Sequence, residues 1–469
     1  MEQTQTQTQK TSRLASAWQR WREHVGQRKA LNELPCISVA AGGVQTLDSP
    51  QVFRETLLAL IAQARKRIFI ATLYLQDDDA GREILSALYA AKAGQPELEI
   101  AVFVDWHRAQ RGLIGKAKSE GNAALYKDMA RRLGPGVSIF GVPVQRREFM
   151  GVLHLKGFII DDSVLYSGAS LNDVYLHRHQ RYRLDRYHLI NSVELADSMS
   201  SLLSTVFINN PAVRPLDGDN IPKTVDIRHA ITQFRRSLSK CRYLFPASHP
   251  KTGEVGITPL LGLGMRGNEL NAILLQLIRR AKNRLILFTP YFNLPGTLRR
   301  AVDKKIKAGC RITIIVGDKT ANDFYIPPTE PYKTIGALPY LYEANLRRFC
   351  KAHQQAMLSG QLNVQLWRHA DNTFHLKGLL VDEDYALLTG NNLNPRAWRL
   401  DLENGLLIHD PQGLLIAQHM AELERILEHT QRLPGHTALD AEISYPPQVQ
   451  RLIRRLARVR ADRLVNQVL

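Results

Sequence analysis

The chain from Val152 to Asn172 reads VLHLKGFIIDDSVLYSGASLN, and the chain from Thr373 to Asn394 reads TFHLKGLLVDEDYALLTGNNLN, which repeats it in outline. Each stretch carries a histidine and a lysine two residues apart, in apolar and β-branched sequence that predicts a strand. Both side chains should therefore leave the same face of that strand. These residues are His154 and Lys156 in the first copy and His375 and Lys377 in the second.

Both stretches continue in the same way beyond the lysine. An aspartate follows five residues later, and a glycine and an asparagine close the stretch. The positions are Asp161, Gly168 and Asn172 in the first copy and Asp382, Gly390 and Asn394 in the second. One match to H-x-K-x4-D could arise by chance, but two copies with matching flanks predict a functional pair.

The composition limits the classes of protein that fit. A chain of 469 residues suits two domains with extensions. The formal charge of +18 favours anionic partners, which include nucleic acid, ribosomes, an acidic membrane face and a phosphorylated substrate. The four cysteines show no C-x-x-C spacing, which argues against a disulfide framework or a zinc site.

No apolar run approaches the length of a membrane-spanning helix, and the polar start MEQTQTQTQK has no apolar signal core. The expected location is therefore the cytoplasm, peripherally associated with the inner face of the cell membrane.

Predicted helices and strands alternate in the same order in both halves, which indicates an α/β fold with a mixed sheet flanked by helices in each half. Such a repeat predicts two domains related by a pseudo-twofold axis, which brings the two His-Lys faces to one cleft. The predicted parts are a basic N-terminal segment (1–45), domain 1 (46–209), a linker (210–256), domain 2 (257–435) and a C-terminal cationic amphipathic helix (436–469).

The two termini carry basic helical patterns. From Val449 to Leu469, apolar residues follow one side of a helix and six arginines fill the rest. This pattern is typical of a helix that binds an anionic membrane surface. A terminal helix that seals the core and keeps its arginines in solvent is the alternative. The same two readings apply to an N-terminal helix that contains Trp18 and Trp21.

Two imidazoles and two ammonium groups, without metal-ligand spacing around them, describe a site for a phosphate diester. The lysines neutralise the anion, one neutral histidine attacks phosphorus, and the other histidine, protonated, gives the leaving oxygen its proton. This chemistry needs no metal and no other cofactor.

Each histidine also needs a partner that orients it, normally a carboxylate on its other ring nitrogen. Aligning LDRYHLI with LDLENGLLI on their last residue sets Asp185 opposite Glu403. These two are the predicted orienting groups. Ion pairs on the surface with Arg186 or Arg399 are the alternative.

The doubled motif resembles the phospholipase D superfamily, which implies two α/β domains, a phosphohistidine intermediate and no metal. The stretches VDWHRAQRG, GASLNDVYLH, YRLDRYHLI, PYFNLP, GDKTANDFYIP, GALPYLYEANLRRF and NNLNPRAWRLDLEN narrow the resemblance to the bacterial phosphatidylserine synthases of that superfamily, along almost the whole chain. That family transfers the phosphatidyl group of CDP-diacylglycerol to L-serine and releases CMP, at the cytoplasmic membrane surface.

The resemblance implies site residues one by one. The paired catalytic residues fall on His154, Lys156, His375 and Lys377, with Asp161 and Asp382 as third members and Asn172 and Asn394 as the motif's amides. The serine that usually follows the glycine is displaced to Ser170, a candidate phosphate contact, and Asn391 and Asn392 replace it in the second copy. His154 is expected to attack, and His375 to protonate the departing CMP.

Further candidates for contacts to the nucleotide, glycerol backbone or serine lie near strand ends, where ligands bind in α/β sheets. They are Tyr74, Asp105, His107, Arg108, Tyr291, Asn293 and Lys319. Loop packing and solvated charge are the alternatives for these residues.

For the function of the whole protein, the alternatives are another phosphatidyltransferase or hydrolase of the superfamily, such as a cardiolipin synthase or phospholipase, and a nuclease or nucleic-acid-binding protein.

Overall fold

The computed structural model describes residues 30–112, 121–327 and 329–458. One compact unit begins at Cys36, and residues 30–35 belong to a separate unit that holds the 3-10 turn Leu31–Glu33. The predicted N-terminal helix around Trp18 lies outside the described residues. Within those residues, every helix is too short or too polar to cross a bilayer.

The first half alternates strands and helices as the sequence predicts. Its strands are β1 (Ile37–Ala40), β2 (Val44–Thr46), β3 (Arg67–Ala71), β4 (Glu99–Asp105), β5 (Ser138–Val142), β6 (Gly157–Ile160), β7 (Ser163–Ser167), β8 (Arg183–Leu184), β9 (Tyr187–Asn191) and β10 (Arg214–Pro215). Its helices are α1 (Pro50–Gln63), α2 (Asp79–Gly94), α3 (Trp106–Ala109), α4 (Ala123–Leu133), α5 (Val193–Leu202), which continues as a π-helical turn (Leu203–Ile208), and α6 (Arg228–Leu238).

The second half repeats that order. Its strands are β11 (Glu254–Leu263), β12 (Arg284–Thr289), β13 (Arg311–Gly317), β14 (Leu362–Trp367), β15 (Thr373–Phe374), β16 (Gly378–Val381), β17 (Tyr385–Thr389), β18 (Leu402–His409) and β19 (Thr430–Arg432). Its helices are α7 (Glu269–Arg280), α8 (Gly296–Lys307), α9 (Leu338–Ala352), α10 (Gln354–Leu358), α11 (Pro395–Arg399), α12 (Ile416–Leu427) and α13 (Pro447–Arg458). Short 3-10 turns cover Ala41–Gly43, Glu148–Met150, Lys319–Ala321, Thr334–Ala337, His436–Ala438 and Glu442–Ser444.

Each half builds one mixed sheet. The first sheet has the order β10-β5-β4-β3-β6-β7-β9-β2, and the second has the order β19-β14-β13-β12-β16-β17-β18-β11-β1. In both sheets three neighbouring strands run parallel (β3, β4 and β5; β12, β13 and β14), and the other pairs are antiparallel. The predicted α/β fold with two duplicated mixed sheets is therefore confirmed.

The strands that lead out of the two motifs are buried throughout. All four residues of β6 and all four residues of β16 are buried, which explains why both read as continuous apolar runs. Two of the helices begin at side-chain caps that the sequence offers: Ser49 accepts from the Val52 N–H at the start of α1, and Asn268 accepts from the Asn271 N–H at the start of α7.

The segments outside the two repeats take part in the same body. Strand β1 pairs with β11 and so completes the sheet of the second half. Strand β10 and helix α6 lie in the segment 210–256 predicted as a linker, and α6 buries Ile231, Phe234 and Leu238.

The start of helix α13 packs on the protein itself. Val449 belongs to a buried apolar cluster with Ala337, Tyr340, Ala344 and Tyr445, and Leu452 and Ile453 pack against that cluster. Arg451, Arg454 and Arg455 are exposed. In these first turns the apolar stripe faces the protein and the arginines face solvent, and residues 459–469 lie beyond the described range.

Candidate active site

The two His-Lys segments are extended but lie just before the regular strands β6 and β16. The sequence-based expectation of a strand through the histidine and lysine was therefore only partly right. Leu153 forms an isolated bridge with Leu402, and the His154 N–H donates to the Leu402 carbonyl at 2.9 Å. In the second copy β15 pairs with β8, and the His375 N–H donates to the Leu184 carbonyl at 2.8 Å. Each segment is thus hydrogen-bonded to the other half of the chain.

Buried side chains fix the backbone of the first segment. Asp401 accepts from the Val152 N–H at 3.0 Å, and Asp105 accepts from the Leu153 N–H at 2.8 Å. The amide of Asn404 accepts from the Lys156 N–H at 2.9 Å and donates to the Lys156 carbonyl at 2.7 Å. Because both amide groups of Asn404 are used, the lysine backbone is held in one position.

The predicted carboxylates do meet the histidines, and they do so across the two halves. The Nδ1 atom of His154 lies 2.8 Å from Oε2 of Glu403. The Nδ1 atom of His375 lies 3.3 Å from Oδ2 of Asp185. Each imidazole therefore takes its carboxylate from the opposite repeat.

His375 has a more crowded environment than His154. Its Nδ1 atom lies 2.8 Å from the Tyr175 hydroxyl and also contacts Nζ of Lys377. Lys377 donates to Asp185 at 2.6 Å. On the other side, Lys156 donates to Ser170 Oγ at 3.0 Å, which places the predicted Ser170 in the cluster.

The motif glycines are required for space. A Cβ atom on Gly168 would lie 2.6 Å from Nζ of Lys377, and one on Gly390 would lie 2.8 Å from Cγ of Lys156. The glycine of each repeat therefore makes room for the lysine of the other repeat. Neither glycine has a positive φ, so the close approach alone explains them.

Asn172 and Asn394 act as local caps. Asn172 Oδ1 accepts from the Tyr175 N–H at 3.0 Å, and Asn394 Oδ1 accepts from the Ala397 N–H at 2.9 Å at the start of α11. Both asparagines thus turn the chain directly after the motif. In the first copy this turn delivers Tyr175 to His375.

Burial dominates the electrostatics of the cluster. It lowers the pKa of Lys156 to about 7, with the nearby charge of Lys377 acting in the same direction. Burial, and then the charge of Lys156, holds the pKa of His154 well below its usual value, while burial raises the pKa of Glu403 to about 8. Burial, followed by the charge of Lys377, likewise lowers the pKa of His375. When Glu403 is ionised, the hydrogen bond between His154 and Glu403 holds the imidazole proton on Nδ1, and this leaves the lone pair on Nε2.

The structure does not bring Asp161 and Asp382 to this cluster. The Asp161 carboxylate accepts from the backbone N–H groups of residues 65, 66 and 67, and Asp382 accepts from those of residues 282, 283 and 284. Strand β6 separates Asp161 from Lys156, which is roughly 16 Å of extended chain. Both aspartates have positive φ, 50° and 52°, in the turn that follows the strand. We infer that they hold the turn and the entry to β3 or β12.

Changing Asp161 or Asp382 to glycine is expected to lower the free energy of unfolding by about 1–3 kcal/mol, because backbone donors lose their partner. Glycine adopts the positive φ without strain, so the loss does not come from a distorted turn. Urea unfolding measures the loss. Any catalytic rate of the folded protein should change by less than about threefold. A large fall in kcat with unchanged stability would contradict this placement.

The other candidates of the first half lie around the start of α3. The Arg108 guanidinium stands 5.2 Å from the centre of the Tyr74 ring. His107 Nε2 lies 2.8 Å from the Gln145 carbonyl. Asp105 is fully buried and also accepts from the backbone N–H groups of His107 and Arg108. Asp105 therefore positions the His154 segment through its backbone.

The candidates of the second half differ in their environments. Tyr291 stands edge-on to His375, with ring centres 6.1 Å apart, and its hydroxyl donates to Asp323 at 2.9 Å. Lys319 forms an ion pair with Glu343 at 3.1 Å. Asn293 lines a neighbouring groove.

That groove has a volume of about 610 Å³ and begins beside Asn394, since Pro395 lines it. Its walls combine guanidinium, amide and aromatic groups, which suit a ligand that carries both phosphate and an apolar or ring-shaped part. They include Phe292, Asn293, Arg299, Arg300, Asn345, Arg348, Trp398 and Arg399.

Among the described residues, one group has the spacing of a metal site. Asp79, Asp173 and His179 bring one ligand atom each within 4.8 Å of one another, outside the His-Lys cluster. His179 already lies 3.0 Å from Asp79 and 3.6 Å from Asp173, so ion pairs account for this arrangement.

Sequence reasoning missed several residues that shape the cluster: Tyr175, Arg183, Asp323, Asp401 and Asn404. Asp401 and Asn404 flank the predicted Glu403, and polar residues in or beside an apolar strand such as β18 were a usable signal. Tyr175 and Arg183 carried no signal in the sequence, because the contacts that matter are made with the other half of the chain.

Comparison with known proteins gives consistent matches. A family model described as "Cardiolipin synthase, PLD-like domain" matches residues 274–429, which contain the second motif. The CDP-diacylglycerol–serine O-phosphatidyltransferase of Escherichia coli (strain K12) is 52% identical, over 94% of this chain and 97% of that protein. The enzyme of the same name from Haemophilus influenzae is 48% identical, with the same two coverages.

Two further matches extend the comparison. The crystal structure of a phosphatidylserine synthase from Haemophilus influenzae superposes with a TM-score of 0.90 at 46% identity, covering 94% of this chain and 98% of that one. A CDP-diacylglycerol–glycerol-3-phosphate 3-phosphatidyltransferase of Schizosaccharomyces pombe is 24% identical, over 84% of this chain and 91% of that protein.

Proposed function

This chain belongs to the CDP-diacylglycerol–serine O-phosphatidyltransferase family of the phospholipase D superfamily, and we propose that it forms phosphatidylserine and CMP through a phosphatidyl-histidine. The observation that carries the mechanism is the pair of crossed hydrogen bonds, His154 to Glu403 and His375 to Asp185. They turn both imidazoles so that each Nε2 atom faces away from its carboxylate.

The nucleophile in this proposal is His154. Its Nδ1 atom faces a single carboxylate, so one proton in that hydrogen bond leaves a lone pair on Nε2. This nitrogen attacks the phosphorus of the phosphatidyl group, a P–N bond forms, and the P–O bond to CMP breaks. His375 donates its proton to the departing phosphate oxygen of CMP.

The second step reverses the first with a different oxygen. The hydroxyl of L-serine attacks the phosphatidyl-histidine, neutral His375 takes the hydroxyl proton, and the P–N bond breaks. Because each displacement is in line, serine must enter on the side that CMP has left, which is the His375 side.

The two buried lysines supply the charge that this chemistry needs. The diphosphate of the donor is anionic, and Lys156 and Lys377 are held within the cluster by Ser170 and Asp185. A bound phosphate also raises the pKa of nearby imidazoles, because a negative charge favours their protonated form. Donor binding therefore prepares His375 to act as an acid.

An assay in mixed micelles tests the function. Purified enzyme with CDP-diacylglycerol and labelled L-serine is expected to give labelled phosphatidylserine and CMP in equal amounts, and to do so equally well with EDTA. Loss of the reaction in EDTA under these detergent conditions would contradict the metal-free site. Phosphatidic acid as the main lipid product would instead indicate a hydrolase.

The pH dependence follows from the lowered pKa of Lys156, which is about 7 in the free enzyme. The lysine binds phosphate in its charged form, and that form is lost as the pH rises through 7. The kcat/KM for CDP-diacylglycerol should therefore fall above pH 7, by up to about tenfold per pH unit. The kcat at saturation should fall less, since bound phosphate raises this pKa. A kcat/KM for CDP-diacylglycerol that stays level from pH 6 to pH 9 would contradict this role of charged Lys156.

We further infer that the enzyme meets its lipid donor at an anionic membrane surface. The support is the net charge of +18 together with the exposed Arg451, Arg454 and Arg455 of α13. Since the apolar stripe of α13 packs on the protein in its first turns, contact there would be mainly electrostatic and sensitive to salt.

A further inference from the structure

The symmetric core of the site has asymmetric surroundings. In the repeat, Tyr175 corresponds to Ala397 when the motif asparagines are aligned, and Arg183 corresponds to Asp401 when the orienting carboxylates are aligned. The hydroxyl that contacts His375 therefore has no counterpart beside His154. A transferase with two different substrates needs such a difference, because the duplicated core alone treats both sides alike.

An ion pair between the halves lies on this asymmetric side. Arg183 Nη2 is 2.8 Å from Asp323 Oδ1, and the two side chains are 16% and 13% exposed. The Tyr291 hydroxyl donates to the other oxygen of Asp323 at 2.9 Å. Arg183 Nε donates to Thr373 Oγ1 at 3.2 Å, and its guanidinium group stands 4.6 Å from the centre of the Tyr175 ring.

This pair is close to the reacting groups. Tyr175 and Tyr291, which contact Arg183 and Asp323, also contact His375, through a 2.8 Å hydrogen bond and an edge-on ring contact. The pair and its tyrosines therefore flank the side from which the acceptor must enter.

We propose that Arg183 and Asp323 bind L-serine, with Arg183 on the α-carboxylate and Asp323 on the α-ammonium group. This rests on the proposed function, because it takes the acceptor to enter beside His375. A guanidinium fork matches a carboxylate, and an aspartate that accepts from the Tyr291 hydroxyl matches a small cation. Both charges of the zwitterion then have a partner of opposite sign while the hydroxyl faces phosphorus.

The arrangement also explains how two half-buried charges are tolerated before serine binds. Arg183 and Asp323 neutralise each other in the empty site, so neither charge is left uncompensated. A zwitterion replaces this contact by two equivalent ones. Ethanolamine, which lacks the carboxylate, and glycerate, which lacks the ammonium group, would each leave one protein charge without a partner.

Two single variants of the full-length enzyme test the proposal in detergent micelles. For Asp323→Asn, kcat/KM for L-serine should fall by about tenfold to a hundredfold, because a charge-assisted contact is lost, whereas kcat/KM for glycerate should change little. For Arg183→Gln, the loss should be of similar size for L-serine and small for ethanolamine. Each value is expressed relative to CMP release from CDP-diacylglycerol without acceptor in the same variant.

The surface pair Arg280–Asp384, 2.7 Å apart, offers a matched control, and Asp384→Asn should leave all three acceptors unchanged. Equal losses for serine, glycerate and ethanolamine would overturn the proposal, because a pair that only supports His375 affects every acceptor. An unchanged kcat/KM for serine would overturn it as well. Failure of the proposed function is distinguishable, since the unaltered enzyme would then form no phosphatidylserine from CDP-diacylglycerol and L-serine.

Discussion

Replacing His154 with alanine is expected to lower kcat by roughly 10⁵-fold to 10⁶-fold and to abolish the covalent phosphatidyl adduct. Of the two histidines in the described cluster, His154 is the one whose Nδ1 atom contacts a carboxylate and no other side chain. Alanine leaves no group at this position to attack phosphorus. Denaturing mass spectrometry after incubation with CDP-diacylglycerol alone measures the adduct, and release of CMP measures the step.

His375→Ala is the matched comparison. CMP is a good leaving group, so the first step should survive better than the second, and an adduct on His154 should accumulate. An adduct on His375 in the unaltered enzyme would reverse the two roles. Sequential kinetics with no adduct on either histidine would contradict covalent catalysis altogether.

Glu403→Gln is expected to lower kcat by roughly 10³-fold to 10⁴-fold while the enzyme stays folded. The amide is nearly isosteric with the carboxylate, but its NH₂ group can face Nδ1 of His154 and favour the tautomer that has its proton on Nε2. That tautomer cannot attack phosphorus. Single-turnover release of CMP measures the step, and thermal unfolding measures the fold.

Asp185→Asn provides the contrast to Glu403→Gln. Asp185 also holds the buried Lys377 at 2.6 Å, so this variant should lose stability as well as activity. If the Glu403→Gln enzyme kept the wild-type kcat, the carboxylate would not be needed to set the tautomer of His154, and its contribution would be packing alone.

The order of helices and strands was predictable because it depends on the local pattern of apolar and polar residues. Apolar runs bounded by caps and glycines gave β3, β4, β12 and β13 and the helices between them. The repeat then predicted a mixed sheet in each half. The equivalence of Asp185 and Glu403 as orienting groups was also predictable, because aligning one repeat on the other sets them opposite each other.

The crossing of contacts between the repeats was not predictable from the sequence. Leu153 meets Leu402, and His154 meets Glu403, at sequence separations that no periodicity records. For the same reason the extended His-Lys segments could not be distinguished from regular strand. The role of Asp161 was hidden too, since a carboxylate that binds backbone N–H groups in a turn has the same spacing as one that faces a substrate.

Strand β1 has a consequence for how the protein is made. It leaves the ribosome before almost all of the first half. Its partner β11 is synthesised only after everything between Ala40 and Glu254, which takes roughly 10–40 s at ordinary speeds of translation. When β11 emerges, the strand that covers its open edge already exists. A gene split after residue 209 would produce the second half without β1. The edge of β11 would then be exposed, and exposed strand edges promote aggregation by pairing between chains.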